Sequence, residues 1–227
     1  MTAPQSFGGA LRAIAELQHH LPAGTSAAIG VLAFGAAILP GLSGLTQHVN
    51  TMAHEGAHAT MHLATGRRVV GVTLKRDGTG ETRSTGSGRG ILGGAAGYLG
   101  PSAFGLGAAE LIRVGHAVAV LWVAIAALAV LGVLGRRSAF SIAAVLVTGV
   151  LIYLVARYEP VGARVALAYG MAWFLLLSGL VVIWSHGRDA SDASSLRQRT
   201  HVPRGLWAGL WLAGSALALI AGAQLLI

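Results

Sequence analysis

His54-Glu55-Gly56-Ala57-His58 sets two imidazoles four residues apart, with a carboxylate next to the first. On an α-helix, positions i and i+4 share one face, with Cβ atoms about 5–6 Å apart. Ring nitrogens at that spacing can reach a single zinc ion, and the intervening glutamate projects beside them. The chemistry on offer is hydrolytic. A metal held by His54 and His58 would acidify a water, and Glu55 would take its proton. The competing account is a pair of packed histidines and a snorkelling glutamate. Against it stands the cost of an unpartnered carboxylate in a bilayer, on the order of a few kcal/mol. A metal supplies the partner.

The rest of the chain makes those surroundings apolar. Of 227 residues, 54% are hydrophobic and 11% charged, and the mean hydropathy is +0.67. Soluble domains carry about 25% charged residues. Residues 1–227 therefore read as one integral membrane domain, an all-α polytopic bundle embedded in a lipid bilayer. Cysteine is absent, which excludes disulfides, thiolate catalysis and thiolate zinc sites together. Any zinc must be bound by His, Asp, Glu and water. The net charge of +8 fits basic cytoplasmic loops, and no nucleic-acid partner is expected.

Apolar runs predict about seven transmembrane helices, near 26–45, 46–65, 91–112, 116–135, 138–156, 163–184 and 205–226. Each approaches the ~20 residues that a bilayer requires. Alternating loops then place thirteen basic residues on one side and only Arg113, Arg157 and Arg164 on the other, out of 16 in all. That bias predicts a cytoplasmic N-terminal segment over 1–25 and an external C-terminus. Within the segment, Leu11, Ile14, Ala15, Leu17 and Leu21 have the spacing of a surface helix over 8–21. No signal-peptide cleavage site follows, so the first span is expected to be retained. After the second span, Val70, Val72 and Leu74 alternate as in a half-buried strand, and Asp77-Gly78-Thr79-Gly80 reads as the turn of a small β-hairpin.

A hydrolytic zinc normally has three protein ligands and an open position. Side and depth exclude Glu159 and Glu110, while Asp77 and Glu81 belong to the hairpin. Asp189 and Asp192 remain, within His186-Gly187-Arg188-Asp189-Ala190-Ser191-Asp192-Ala193. Residues 191–196 can begin a short helix with Asp192 near its N-terminus. His62 stands eight residues from His54, about 12 Å along a straight helix, too far to share the metal. Asn50, the only asparagine in the chain, lies at i−4 from His54 and can orient a ligand or substrate.

These segments resemble the site-2 protease family of intramembrane zinc metalloproteases. The likeness rests on the His54-to-His58 motif in a membrane helix, on Gly97-Tyr98-Leu99-Gly100-Pro101-Ser102, and on a distant aspartate near the start of a later helix. Ser191-Asp192-Ala193, with Leu196, Thr200, Pro203 and Trp207 following, is similar to a compact bacterial subgroup lacking a PDZ domain, which favours Asp192 over Asp189. The usual asparagine and proline upstream of an Asp-Gly pair are missing.

The resemblance implies Zn2+ on His54, His58 and Asp192, Glu55 as catalytic base, and a transmembrane protein substrate. It also implies a bacterial cytoplasmic membrane and a sheet that receives the unwound substrate as an added strand. Two other classes remain open on the sequence: an inactive zinc-binding scaffold, and a metal-ion transporter using His48, His54, His58 and His62. Transport calls for polar groups at several depths in other spans, and those spans are almost free of charge. The sequence does not fix the oligomeric state.

Overall fold

A computed structural model describes residues 8–9, 14–39, 42–86, 90–186 and 191–227. The order is α1 (Ala23–Ile38), α2 (Leu42–Ala64), β1 (Val69–Leu74), β2 (Gly80–Ser84), α3 (Gly90–Arg113), α4 (Ala117–Leu134), α5 (Ala139–Tyr158), α6 (Val161–His186), α7 (Ser191–Thr200) and α8 (Arg204–Leu226). Pro22, Pro160 and Pro203 immediately precede α1, α6 and α8. There the fixed φ suits a helix entry and the missing N–H loses nothing. Ser138 caps α5 by accepting from Ser141 N–H at 3.2 Å.

Four helices, α4, α5, α6 and α8, are long and apolar enough to cross a bilayer. They are apolar on all sides. Only 22% of α5 and 17% of α8 is buried within the protein, while Leu146, Val147, Leu151, Leu210, Leu217 and Ile220 face outward. Apolar outer surfaces of this kind are matched by lipid.

The other three expected spans are helical but fall short of that standard. α1 stops at Ile38 because Leu39 is extended (φ −70°, ψ 133°), as a residue before proline is driven to be. Its 16 residues are fewer than the ~20 needed for a crossing. α2 carries the polar site residues and α3 is rich in glycine. Both pack against other elements, so neither needs a lipid-compatible surface all round.

The packing also shows how the helices run relative to one another. α1 and α6 run in the same direction. Leu21 N–H donates to Tyr169 Oη (3.2 Å), Trp173 Nε1 donates to Ser26 Oγ (3.1 Å), and Ala37 and Ile38 share a cavity with Val181 and Val182. The segment before α1 is held at the α3–α4 connection, where Gln18 N–H donates to Gly115 O (2.8 Å) and Val118 N–H to Gln18 Oε1 (3.0 Å). These bonds leave residues 17–22 non-helical, so the helix expected over 8–21 does not reach Leu21. α8 runs antiparallel to α6, with Trp211 near Ile183 and Gly222 beside Leu176. Both ends of the described chain therefore lie at the end of the bundle that holds Gly115.

α2 is followed not by a simple loop but by the hairpin, whose two ends meet where Val69 stands opposite Ser84 and Thr85 N–H donates to Arg68 O, so the chain leaves it beside the end of α2. Reporters fused before Met1 and after Ile227 are expected to read the same side of the membrane. Opposite readings would mean an odd number of crossings.

The hairpin itself follows from its turn. Lys75 N–H donates to Thr79 O (2.8 Å), Gly78 N–H to Lys75 O (3.2 Å), and Gly78 sits at φ +81°, a type I turn closed by a left-handed glycine. Asp77 Oδ1 accepts from Thr79 N–H and Oγ1, which holds its exposed carboxyl below the usual carboxylate range. β1 and β2 pair antiparallel, with Val72 opposite Thr82 and Leu74 opposite Gly80. Val72 and Leu74 are buried as expected, but Val70 is 49% exposed. An irregularity between Val69 and Gly71 shifts the register there and turns Val70 outward.

Candidate metal centre

α2 brings the paired histidines together as its 3.6-residue period requires. The Nε2 atoms of His54 and His58 are 3.1 Å apart, and Asp192 Oδ2 lies 3.1 Å from each. Among the described residues, these three form the group able to hold a metal ion. His58 and Asp192 are fully or almost fully buried, and His54 retains 16% side-chain exposure. Asp192 projects from the first turn of α7, where the helix dipole favours an anion. Ala193 and Leu196, both fully buried, seat α7 against Ile183 and Trp211 and fix the carboxylate in place.

The donor atoms fit a metal. His58 Nδ1 donates to Gly93 O at 2.7 Å. In a neutral ring this leaves a lone pair on Nε2, the ligand tautomer that a neighbouring carbonyl commonly enforces. Asp192 carries further lone pairs into the same triangle. Burial alone would raise its carboxyl pKa. The two imidazoles of His54 and His58 beside it outweigh that and hold it well below the usual range. Acceptor atoms so close together repel unless a proton or cation lies among them. Tetrahedral zinc with bonds of about 2.0–2.1 Å needs ligand atoms roughly 3.3 Å apart, and these edges are 3.1 Å.

Room beside the triangle comes from Gly97 on α3. A methyl group there would lie 2.6 Å from His54 Nε2 and closer still to His58 Nε2. Gly100, whose added methyl would collide with Ala57 Cβ, lets α2 and α3 pack closely, whereas Gly97 keeps the face of the site clear.

Glu55 is 2% exposed and held by the hairpin. Its Oε2 accepts from Thr82 Oγ1 at 2.6 Å. Gly80 presses on the same side chain, and a methyl there would stand 2.7 Å from Glu55 Cγ. Thr51 Oγ1 donates to Gly78 O (2.6 Å), and Ser141 Oγ accepts from Leu74 N–H (2.8 Å), so α2 and α5 clamp the hairpin over the carboxylate. Tyr98 packs edge-on to His54 with centroids 4.8 Å apart, and stacks on Trp211 of α8 at 4.6 Å.

His54, Glu55 and Tyr98 open onto a cavity of about 710 Å³ between α1, α2, α6 and the hairpin turn. Asn50, Ser178, Phe174 and Val181 complete its walls. His62 is buried outside the metal-binding group, in keeping with a packing role. Asp189 lies outside the described residues. Thr82 and Ser178 carried no sequence signal and Gly80 only that of a turn residue, because their contacts cross between elements far apart in the chain.

Comparison with curated proteins and with solved structures returns no match. A family model described as Peptidase M50B-like, by contrast, matches residues 27–222. That match spans the hairpin, both histidines, Glu55 and Asp192, and with it the chain belongs to the M50B-like peptidases, the site-2 protease family that its motifs resemble.

Proposed function

We propose that this protein is an intramembrane zinc endopeptidase that hydrolyses peptide bonds of membrane-embedded or membrane-tethered proteins. One observation carries the reading: three acceptor atoms lie at mutual distances of 3.1 Å, and His54 among them lines one cavity with the buried carboxylate of Glu55. His54, His58 and Asp192 would hold the ion. When bound, zinc lowers the pKa of a water and polarises a carbonyl. Glu55 accepts the water proton and later delivers it to the departing amine. Thr82 keeps one oxygen of that carboxylate fixed by hydrogen bonding, so the other stays available to the water. The basic end of the bundle, where α7 lies, is cytoplasmic.

The hairpin supplies a place for an unwound chain. Lys75 and Thr79 form a hydrogen-bonded pair, so the alternation of an antiparallel ladder turns the Gly80 and Thr82 backbone groups outward from β2. Both residues stand against Glu55. A transmembrane helix must expose its peptide bonds before hydrolysis, and pairing with this edge would satisfy them.

Metal content tests the reading. Wild-type protein purified in detergent should carry near-stoichiometric zinc by mass spectrometry, and His58→Ala and Asp192→Ala should each lose most of it. Wild-type protein without zinc would sink the proposal. Zinc without cleavage of any membrane peptide would leave a zinc-binding scaffold.

A further inference from the structure

Asn50 is a polar residue of α2 that lines the cavity and takes no part in the metal centre. It is 6% exposed and lines the cavity one helical turn before His54. Ser178 Oγ of α6 donates to its Oδ1 at 3.1 Å. That bond orients the carboxamide. With the oxygen engaged, the nitrogen and its two hydrogens are the groups left over. Among the described residues, the nitrogen has no hydrogen-bond partner. The donor opens on the cavity, where a ligand or water can satisfy it.

Across the cavity stands the β2 edge, with Gly80 packed on Glu55 and Thr51. Ile38, Phe174, Val181 and Val182 form an apolar wall facing Asn50, with Thr46 and Gln47 one turn before it on α2. A peptide lying along β2 offers backbone groups on both of its edges. One edge is met by the strand, while the other faces an apolar wall interrupted by this amide. We infer that Asn50, oriented by Ser178, donates a hydrogen bond to a substrate backbone carbonyl and positions the unwound chain between itself and β2. The inference rests on the endopeptidase reading and names what that site recognises, an extended peptide backbone rather than a particular side chain. Asn50 acts as a positioning residue.

The test uses two hydroxamates on full-length, zinc-loaded protein in detergent. Acetohydroxamate reaches only the metal, whereas a leucyl-leucyl hydroxamate also extends a backbone into the cavity. Asn50→Asp keeps an oxygen for Ser178 and removes the amide donor. It should weaken the peptidyl probe about five- to tenfold, the value of one hydrogen bond of ~1–1.5 kcal/mol, and leave acetohydroxamate affinity and zinc content unchanged. Ser178→Ala, which frees the amide to rotate, should move the same probe in the same direction by less.

Equal weakening of both probes, or zinc loss with a lower Tm in Asn50→Asp and Ser178→Ala alike, would show that the pair is only a brace between α2 and α6. Unchanged binding of both probes would overturn the inference outright. Wild-type protein that binds neither probe would instead defeat the endopeptidase reading, and this inference would fall with it.

Discussion

Glu55→Gln will abolish cleavage of a membrane-embedded peptide while the purified protein keeps its metal. The substitution preserves shape and leaves an oxygen for Thr82, which holds the native carboxylate at 2.6 Å. It removes the capacity to take a proton. Loss of a positioned general base lowers rates by about 10²- to 10⁴-fold, enough to take a slow membrane protease below detection. His54, His58 and Asp192 remain within 3.1 Å of one another, so zinc content should equal that of wild type. Single-turnover cleavage followed by mass spectrometry reads the first quantity, and metal analysis reads the second. Cleavage within threefold of wild type would remove Glu55 as the base. Zinc lost together with activity would mean that Glu55 supports the ligands.

The second large effect is expected at a residue that carries no functional group. Gly97→Ala sets a methyl 2.6 Å from His54 Nε2 and nearer still to His58 Nε2. Neither ring can easily retreat. Tyr98 packs against His54, and Gly93 O holds His58 through Nδ1. The methyl would occupy the space beside the donor atoms, so zinc affinity should fall by more than an order of magnitude. Gly107 on the same helix has nothing within 4 Å of an added methyl, and Gly107→Ala is the matched control, expected to bind as wild type does. Competition with a chromogenic chelator measures both. Gly97→Ala protein with wild-type affinity would show that α3 moves aside and that Gly97 does not shape the site.

Much of this site was legible in the chain because its central part is local. Helical periodicity alone places His54 and His58 on one face with Glu55 beside them, and the turn chemistry of Asp77 to Gly80 forecasts the hairpin. Asp192 was reached differently. Its short helix was expected from Ser191-Asp192-Ala193, but the choice over Asp189 came from a family likeness, since no spacing rule links residues 138 positions apart. Where the reading failed, it extended a local rule past its range. The span through Pro40 ended at Ile38, where Leu39 is already extended. Val70 turned outward because of a register shift that its alternation gave no sign of.

By itself, the sequence determined the chemistry that is available: two ring nitrogens and a carboxylate on one helix face, a hairpin after them, apolar helices around them, and no thiol anywhere. Each of these depends on neighbours within a few residues, where backbone geometry is fixed by bond lengths and hydrogen-bond periods. Only the tertiary structure decided that Thr82 holds Glu55, that Gly97 leaves a face open, that Ser178 turns Asn50 toward the cavity, and that both ends of the described chain lie at one end of the bundle. Those are contacts between distant segments. They are selected by how whole helices and the hairpin bury their surfaces against one another, and a short stretch of sequence carries no record of that packing.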